Sequence, residues 1–179
     1  MGTSFQVVVA AGDENAVRAA VAATGQEADV RAIGESRWAV VPATTEHEAY
    51  AETDELARHL SEPAGAVAAS FQVFDSDVLL AGLYRAGRHY HDYLSDQAYL
   101  MEYWEDDGTE LMVDMLGRPY GPDDEPPTGP YGADVAAFLP FAAGPVDSDA
   151  VAAALTATTE MAEDQFHQLL HALNMRAFM

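Results

Sequence analysis

The first 74 residues alternate between apolar runs and amphipathic stretches, and this order limits the folds open to the chain. Residues 5–10 form a short apolar run rich in β-branched side chains, which is typical of a buried strand. Strand character returns in three further segments, residues 28–33, 37–41 and 66–74. The spaces between these runs leave room for two helices.

Both helices have end signals. Asp13 is a candidate N-cap for the first, and Gly25 stands where a closing glycine belongs. Thr45 and Glu48 have capping-box spacing and are expected to open the second helix. The resulting order of strand, helix, strand, strand, helix, strand predicts a ferredoxin-like βαββαβ arrangement over residues 1–74. The match is one of topology, and that fold hosts many unrelated functions.

The rest of the chain predicts additions to this half. A hairpin is expected around Ala86-Gly87, then a short helix over residues 97–104 and an edge strand over residues 110–116. Apolar residues recur at steps of three and four from Val151 to Leu173, which predicts one long amphipathic helix. We expect a single α+β domain over residues 1–179, made of a ferredoxin-like half (1–74), a hairpin and aromatic segment (75–116), a long Gly/Pro/acidic loop (117–147) and a C-terminal helix (148–179).

Charge restricts the partners of the chain. Thirty Asp and Glu face eight Arg, there is no lysine, and the net charge is −22. Such a surface repels nucleic acid and anionic lipid and attracts basic proteins. No run reaches the roughly 20 apolar residues that span a bilayer. The chain has no cysteine, which excludes disulfides and thiol catalysis and agrees with a reducing cytoplasm.

Tyrosine is concentrated in one part of the sequence. Seven of the eight tyrosines lie between positions 84 and 131, among many carboxylates. Tyrosine supplies contact area at low entropic cost and is enriched in binding surfaces. An aromatic centre with an acidic rim suits a basic protein, whereas closure of the core is the plainer interpretation of these rings. The predicted partner-binding residues are Tyr90, Asp92, Tyr93, Asp96, Tyr99, Tyr103, Trp104 and Asp106.

Histidines provide the weaker chemical hypothesis. Glu163, His167 and His171 follow one another at i, i+4 and i+8, so a helix would place them on one stripe that could hold a divalent metal. The stripe borders an apolar face, so a partly buried histidine is the simpler interpretation. His89 and His91 alternate in a predicted strand, so both are expected on one face. With a two-residue turn at Ala86-Gly87, that face also holds Tyr84 and Tyr93. We expect no cofactor.

Three functions follow from these observations. The first is a non-enzymatic module that engages a basic partner, of an inhibitor, immunity or regulatory type. The second is a small metal-dependent enzyme or ligand-binding protein that uses the histidines. The third is a structural subunit of a larger assembly, whose acidity is a halophilic or genomic background adaptation. A homo-oligomer is a further possibility among the partners. No nucleophile elbow, phosphate loop or dinucleotide fingerprint occurs in the sequence.

Overall fold

The computed structural model describes residues 2–43 and 52–178, which form a mixed α+β structure and confirm that class. The strands are β1 (Phe5–Ala11), β2 (Ala28–Gly34), β3 (Arg37–Pro42), β4 (Val67–Phe74), β5 (Val78–Arg85), β6 (Arg88–Leu94), β7 (Leu100–Trp104), β8 (Glu110–Asp114) and β9 (Pro119–Tyr120). The helices are α1 (Glu14–Thr24), α2 (Thr53–Leu60), α3 (Val135–Phe138), α4 (Ser148–Leu155) and α5 (Ala162–Ala172), with a 3₁₀ helix at Leu139–Phe141. Within the described ranges, none of these helices has the length and apolarity that a bilayer crossing requires.

Six strands form one antiparallel sheet in the order β2–β3–β1–β4–β5–β6. The centre of this sheet is covered on both faces. Val7 and Val9 of β1 belong to one core cluster, and Val8 and Ala10 belong to the other. All four side chains are completely buried. A strand buried on both faces carries apolar side chains on both, which explains why residues 7–11 of β1 form a continuous apolar run rather than an alternating one.

Helices cover the two faces of the sheet unequally. On one face, α1 and α2 bury Val17 and Leu56 against the sheet. On the other face, α3, the 3₁₀ helix, α4 and α5 form a larger layer. There the ring centroid of Phe166 lies 5.5 Å from that of Phe5 and 5.1 Å from that of Phe71. Beyond the edge of α2, the first face holds a cavity beside β5 and β6.

The end signals of the first helix are confirmed. The Asp13 carboxylate accepts hydrogen bonds from the backbone N–H groups of Asn15 and Ala16 at 3.0 and 3.2 Å. Gly25 closes α1 with a φ of 71°, in the left-handed region that glycine adopts without steric cost. The predicted capping box of Thr45 and Glu48 lies outside the described residues.

The single long C-terminal helix is a wrong prediction, because the structure divides it into α4 and α5. The segment between them, residues 156–161, contains the threonines that weaken helix propensity. The Thr156 hydroxyl donates to Ala152 O at 2.9 Å, and the Thr159 hydroxyl donates to Met161 O at 2.7 Å. Side-chain bonds to the local backbone compete with the helical ladder, so the helix stops and restarts.

Two other segments also differ from prediction. Residues 100–104 form strand β7 instead of a helix, and they pair with β8, which pairs with β9, to make a second, three-stranded sheet. The segment 117–147 is more than a loop, since it contains β9, α3 and the 3₁₀ helix. Phe138 and Phe141 from this segment are buried in the larger core. Burial of their apolar surface stabilises the packing of the segment against the main sheet.

One arginine fixes this inserted segment to the main sheet. Arg37 of β3 donates from Nε to Phe141 O at 2.7 Å and from Nη2 to Ala142 O at 2.6 Å. Burial lowers the pKa of Arg37 from its ordinary value, with the nearby Glu35 acting in the opposite direction. The Arg37 guanidinium therefore links β3, in the first half of the chain, to the backbone at the end of the 3₁₀ helix.

Candidate functional site

The predicted aromatic patch is not one surface, and Tyr93 is the clearest exception. Its side chain is 0% exposed. The Tyr93 hydroxyl donates to Leu155 O at 2.8 Å and accepts from Gln165 Nε2 at 2.9 Å. Burial raises the pKa of Tyr93, and its hydrogen bond with Gln165 partly opposes that shift. Tyr93 is therefore a core residue that joins β6 to α4 and α5, and its assignment to a partner surface is corrected.

Tyr90 and Asp92 occupy different surroundings on β6. The Tyr90 hydroxyl donates to Ala137 O at 2.8 Å, and the guanidinium of Arg85 lies 5.2 Å from the Tyr90 ring centroid. Asp92 faces away from that helical layer, and its carboxylate lies 2.7 Å from His89 Nε2. These two predicted residues are therefore not brought together.

Tyr99 and Asp96 lie on the turn that leads from β6 to β7. The half-buried Tyr99 ring meets Phe74 edge-on at 6.0 Å between centroids. The exposed Asp96 carboxylate accepts from the Ala98 N–H at 3.0 Å and so shapes the turn. Both residues have local structural partners.

Tyr103, Trp104 and Asp106 lie together on the acidic hairpin, by which we mean residues 100–114 with β7 and β8. Tyr103 is 53% exposed and Trp104 is 60% exposed. Tyr103 pairs with Leu111 across the hairpin, and Trp104 pairs with Glu110. Around them are five exposed carboxylates, those of Glu102, Glu105, Asp106, Asp107 and Glu110.

The acidic hairpin has a defined tip. Gly108, with a φ of 86°, donates its N–H to Glu105 O at 2.9 Å, and the Glu105 N–H donates to Thr109 O at 2.9 Å. The Asp107 carboxylate accepts from the Thr109 N–H at 2.9 Å. Hydrogen bonding from the side chain and backbone of Thr109 lowers the pKa of Asp107. The tip therefore presents fixed negative charge.

A buried ion pair anchors the base of the acidic hairpin. Asp114 is 1% exposed, and its Oδ2 accepts from Arg118 Nε at 2.6 Å. Its Oδ1 accepts from the N–H groups of Leu116 and Arg118 at 2.9 and 3.0 Å. The guanidinium of Arg118 also lies 4.3 Å from the Tyr131 ring centroid. Because these bonds satisfy both ends of the pair, the hairpin starts from a fixed base.

The predicted metal triad is not assembled. The Glu163 carboxylate accepts from the Ser76 hydroxyl at 2.9 Å, and His167 is half-buried between α4 and α5. No group of three or more His, Asp or Glu side chains that could hold a metal ion occurs in residues 2–43 and 52–178. The shared helical stripe of Glu163, His167 and His171 therefore does not converge on one point.

His89 and His91 also separate, because the ladder between β5 and β6 shifts between Leu83 and Tyr84. His89 pairs with Tyr84 as a two-residue turn requires, but His91 pairs with Leu83 instead of Gly82. His91 then lies against Phe138, with Nε2 at 2.7 Å from Gly132 O. The prediction that both histidines share a face is wrong, since one extra residue in a strand reverses the faces that follow.

Sequence reasoning missed a polar cavity on the main sheet, which we call the sheet pocket. It has a volume of about 270 Å³, and its lining includes Asp54, Ser70, Gly82, Tyr84, Asp92 and Leu116. Gly82, in the middle of an otherwise apolar predicted strand, is the feature that could have indicated it. Glycine inside a strand often marks a place where something approaches the backbone closely.

Comparisons with known protein families, with curated proteins and with solved structures found no match to this chain.

Proposed function

We propose that this chain is a non-enzymatic, acidic protein-binding module that engages a basic partner through the acidic hairpin. One observation carries the proposal: Tyr103 and Trp104 are more than half exposed among five exposed carboxylates. Residues 100–114 contain no Arg, Lys or His that would neutralise this charge. Exposed aromatic side chains with a charged rim are the composition of an interface core and its border.

The two components have different physical roles. The carboxylates attract a basic surface over several ångströms and raise the association rate, an effect that added salt screens. The aromatic side chains act after contact. Tyr103 and Trp104 project from opposite faces of β7, so the one that faces the partner is buried, which removes apolar area from water and slows dissociation. The fixed base at Asp114 lowers the conformational cost of binding.

The charge pattern favours a partner whose own surface binds phosphate groups. Toxins, nucleases and nucleic-acid-binding proteins carry rows of Arg and Lys for that purpose. A row of carboxylates next to an aromatic anchor would cover such a surface, which is the action of an inhibitor or an immunity protein. A regulatory subunit of a nucleic-acid enzyme is the related case. Nucleic acid and anionic membranes are excluded as partners in this proposal by the net charge of −22.

The experiment captures partners from the host lysate on the immobilised chain at low salt and measures their association rate against ionic strength. The double variant Glu105→Gln with Asp106→Asn should slow association. The matched control is Asp123→Asn with Glu125→Gln, which removes the same charge from exposed positions outside the acidic hairpin. If both double variants slow association equally, or if no basic protein is captured, the acidity is a general property such as salt adaptation and the proposal fails.

We also propose that the N-terminal half is a ferredoxin-like unit, that the protein acts in the cytoplasm, and that any homo-oligomer forms away from the acidic hairpin. The strand order β2–β3–β1–β4 and the two helices on one face support the first statement. The absence of cysteine supports the second. Repulsion between two acidic hairpins supports the third.

A further inference from the structure

The sheet pocket is built on one row of residues that crosses three strands. Ser70 of β4 lies directly opposite Gly82 of β5, and Gly82 lies directly opposite Asp92 of β6. All three therefore face the same side of the sheet. Gly82 has no side chain, so the middle of the row is a hollow. A methyl group added at Gly82 would lie 3.2 Å from both Ser70 Oγ and Asp54 Oδ1.

The walls of the sheet pocket come from separate elements. Asp54 belongs to the first turn of α2, Tyr84 lies two residues beyond Gly82 on β5, and Met115 and Leu116 follow β8. The Tyr84 ring also meets His89 edge-on at 5.3 Å between centroids. The hollow is therefore bounded by an aromatic ring and by apolar side chains, with carboxylates on two different elements.

The polar groups of the pocket are ordered as hydrogen-bond acceptors for a cation. The hydroxyl of Ser70, which is 7% exposed, donates to Asp54 Oδ1. His89 Nε2 lies 2.7 Å from the Asp92 carboxylate. These contacts hold both carboxylates in place while leaving each with further acceptor capacity.

The charge of the pocket is negative. In the part of the chain that the structure describes, no arginine lines the pocket. Arg58, one turn along α2 from Asp54, lies 3.6 Å from the carboxylate of Glu55. Burial raises the pKa of Tyr84, the negative charges of Asp54 and Asp92 raise it further, and the positive charge of Arg58 opposes them by a smaller amount. The charges that act on Tyr84 are therefore negative in balance.

We infer that the sheet pocket binds a guanidinium group, carried either by a free small molecule or by an arginine side chain. A guanidinium is planar and has five N–H donors, so it can bond two carboxylates on different elements at once and stack against a ring. The cavity of about 270 Å³ is far larger than a bare metal ion needs. Two carboxylates exclude a phosphate or carboxylate ligand, because like charges at close range repel.

The first experiment uses capped arginine amide and capped citrulline amide as probes of the full chain. Citrulline has nearly the same shape and no charge. We expect arginine amide to shift the amide signals of Ser70, Gly82 and Asp92 in a titration at physiological salt, with millimolar affinity, and citrulline amide to leave them unchanged. Equal shifts with both probes, or no shift with arginine amide, would overturn the inference. Equal binding of capped lysine amide would overturn the assignment to a guanidinium.

The second experiment changes the pocket without changing the sheet. Asp92→Asn should weaken arginine amide binding about tenfold, the order expected for a lost hydrogen bond to a charged group. Gly82→Ala should also weaken it, because the new methyl group occupies the hollow. The control Asp123→Asn removes one negative charge at an exposed position and should change the affinity less than twofold. If this control weakens binding as much as Asp92→Asn does, arginine is acting as a diffuse counterion and the pocket is not its site.

The third experiment separates the two sources of the guanidinium and separates this inference from the acidic hairpin. A glycine-flanked arginine peptide that binds more tightly than the capped amide indicates a polypeptide side chain, whereas equal affinity indicates a free small molecule. Both results support the pocket. Trp104→Ala should leave arginine amide binding unchanged. The guanidinium proposal for the sheet pocket and the partner-binding proposal for the acidic hairpin can therefore each be confirmed or rejected without the other.

Discussion

The central sheet and the acidic hairpin are both antiparallel β-structure, but they differ in what covers their side chains. β1 is buried on both faces by two layers of helices, whereas β7 is open to water at Glu102, Tyr103 and Trp104. Strand pairing differs as well, since β1 pairs with β3 on one side and β4 on the other, whereas β7 lies at an edge of the three-stranded sheet and pairs with β8. The comparison teaches that burial on both faces and pairing on both sides hold the fold, whereas an exposed face on an edge strand is free to bind.

The largest expected effect is in the core. Phe166→Ala removes the ring that packs on Phe5 and Phe71, and it should lower the free energy of unfolding by about 3 to 5 kcal/mol. Trp104→Ala is the matched change at an exposed aromatic position, and its effect on stability should lie within about 0.5 kcal/mol. Urea unfolding of both variants measures the two values. If the two variants lost similar amounts of unfolding free energy, the acidic hairpin would contribute to stability as the central sheet does, and the comparison would fail.

The second effect concerns binding. Because Tyr103 and Trp104 lie on opposite faces of β7, one of the variants Tyr103→Ala and Trp104→Ala should weaken the complex with the captured basic partner by about 2 kcal/mol or more, the size of an interface hot spot. Tyr90→Ala is the control, since Tyr90 is exposed but belongs to the helical-layer side of β6. Isothermal titration with each variant gives the affinities. If Tyr90→Ala alone lowered the affinity, the partner would bind near Tyr90 and the assignment of the binding surface to the acidic hairpin would be wrong.

The third effect connects the two regions. Asp114→Asn removes the buried carboxylate that holds Arg118, and it should destabilise the three-stranded sheet by about 1 to 3 kcal/mol. Because the main sheet does not depend on that pair, amide hydrogen exchange should accelerate in β8 and leave β1 unchanged. Uniform acceleration over the whole chain would mean that the two sheets unfold as one unit.

The smallest effect is a pH dependence of the core. Burial raises the pKa of Tyr93 above its ordinary value of 10.0, so the folded protein keeps this phenol neutral where the unfolded chain ionises. Stability should therefore be unaffected by Tyr93 below about pH 10 and should fall as the pH rises above it. Tyr93→Phe should reduce the alkaline slope of a plot of urea midpoint against pH, and the slope that remains comes from Tyr84 and Tyr90, whose pKa values burial also raises. An unchanged alkaline slope would contradict the assignment of that slope to Tyr93.

Local signals carried much of the fold prediction. The apolar run at residues 5–10, the Asp13 cap and the Gly25 stop are each properties of a few neighbouring residues, and the structure agrees with all of them. The predictions failed where distant contacts decide. Phe138 and Phe141 sit among Gly and Pro residues, and only the larger core gives them a reason to be buried. The break between α4 and α5 could be predicted only in part, because threonine lowers helix propensity without fixing the residue at which the helix ends.

The candidate sites were harder to predict for the same reason. Tyr93 and Tyr103 are alike in sequence context, and it is the packing of α4 and α5 on β6 that makes one of them a core residue. The sheet pocket combines α2, β4, β5 and β6, and its row of Ser70, Gly82 and Asp92 depends on a register shift of one residue. No short pattern in the sequence encodes that shift.

The bonds from Arg37 to Phe141 O and Ala142 O end on carbonyl oxygens, which carry no net charge and do not titrate. Concentrated salt, which screens charge, therefore leaves these bonds intact. We expect brine to release a bound basic protein from the acidic hairpin and the recovered chain to bind again without refolding.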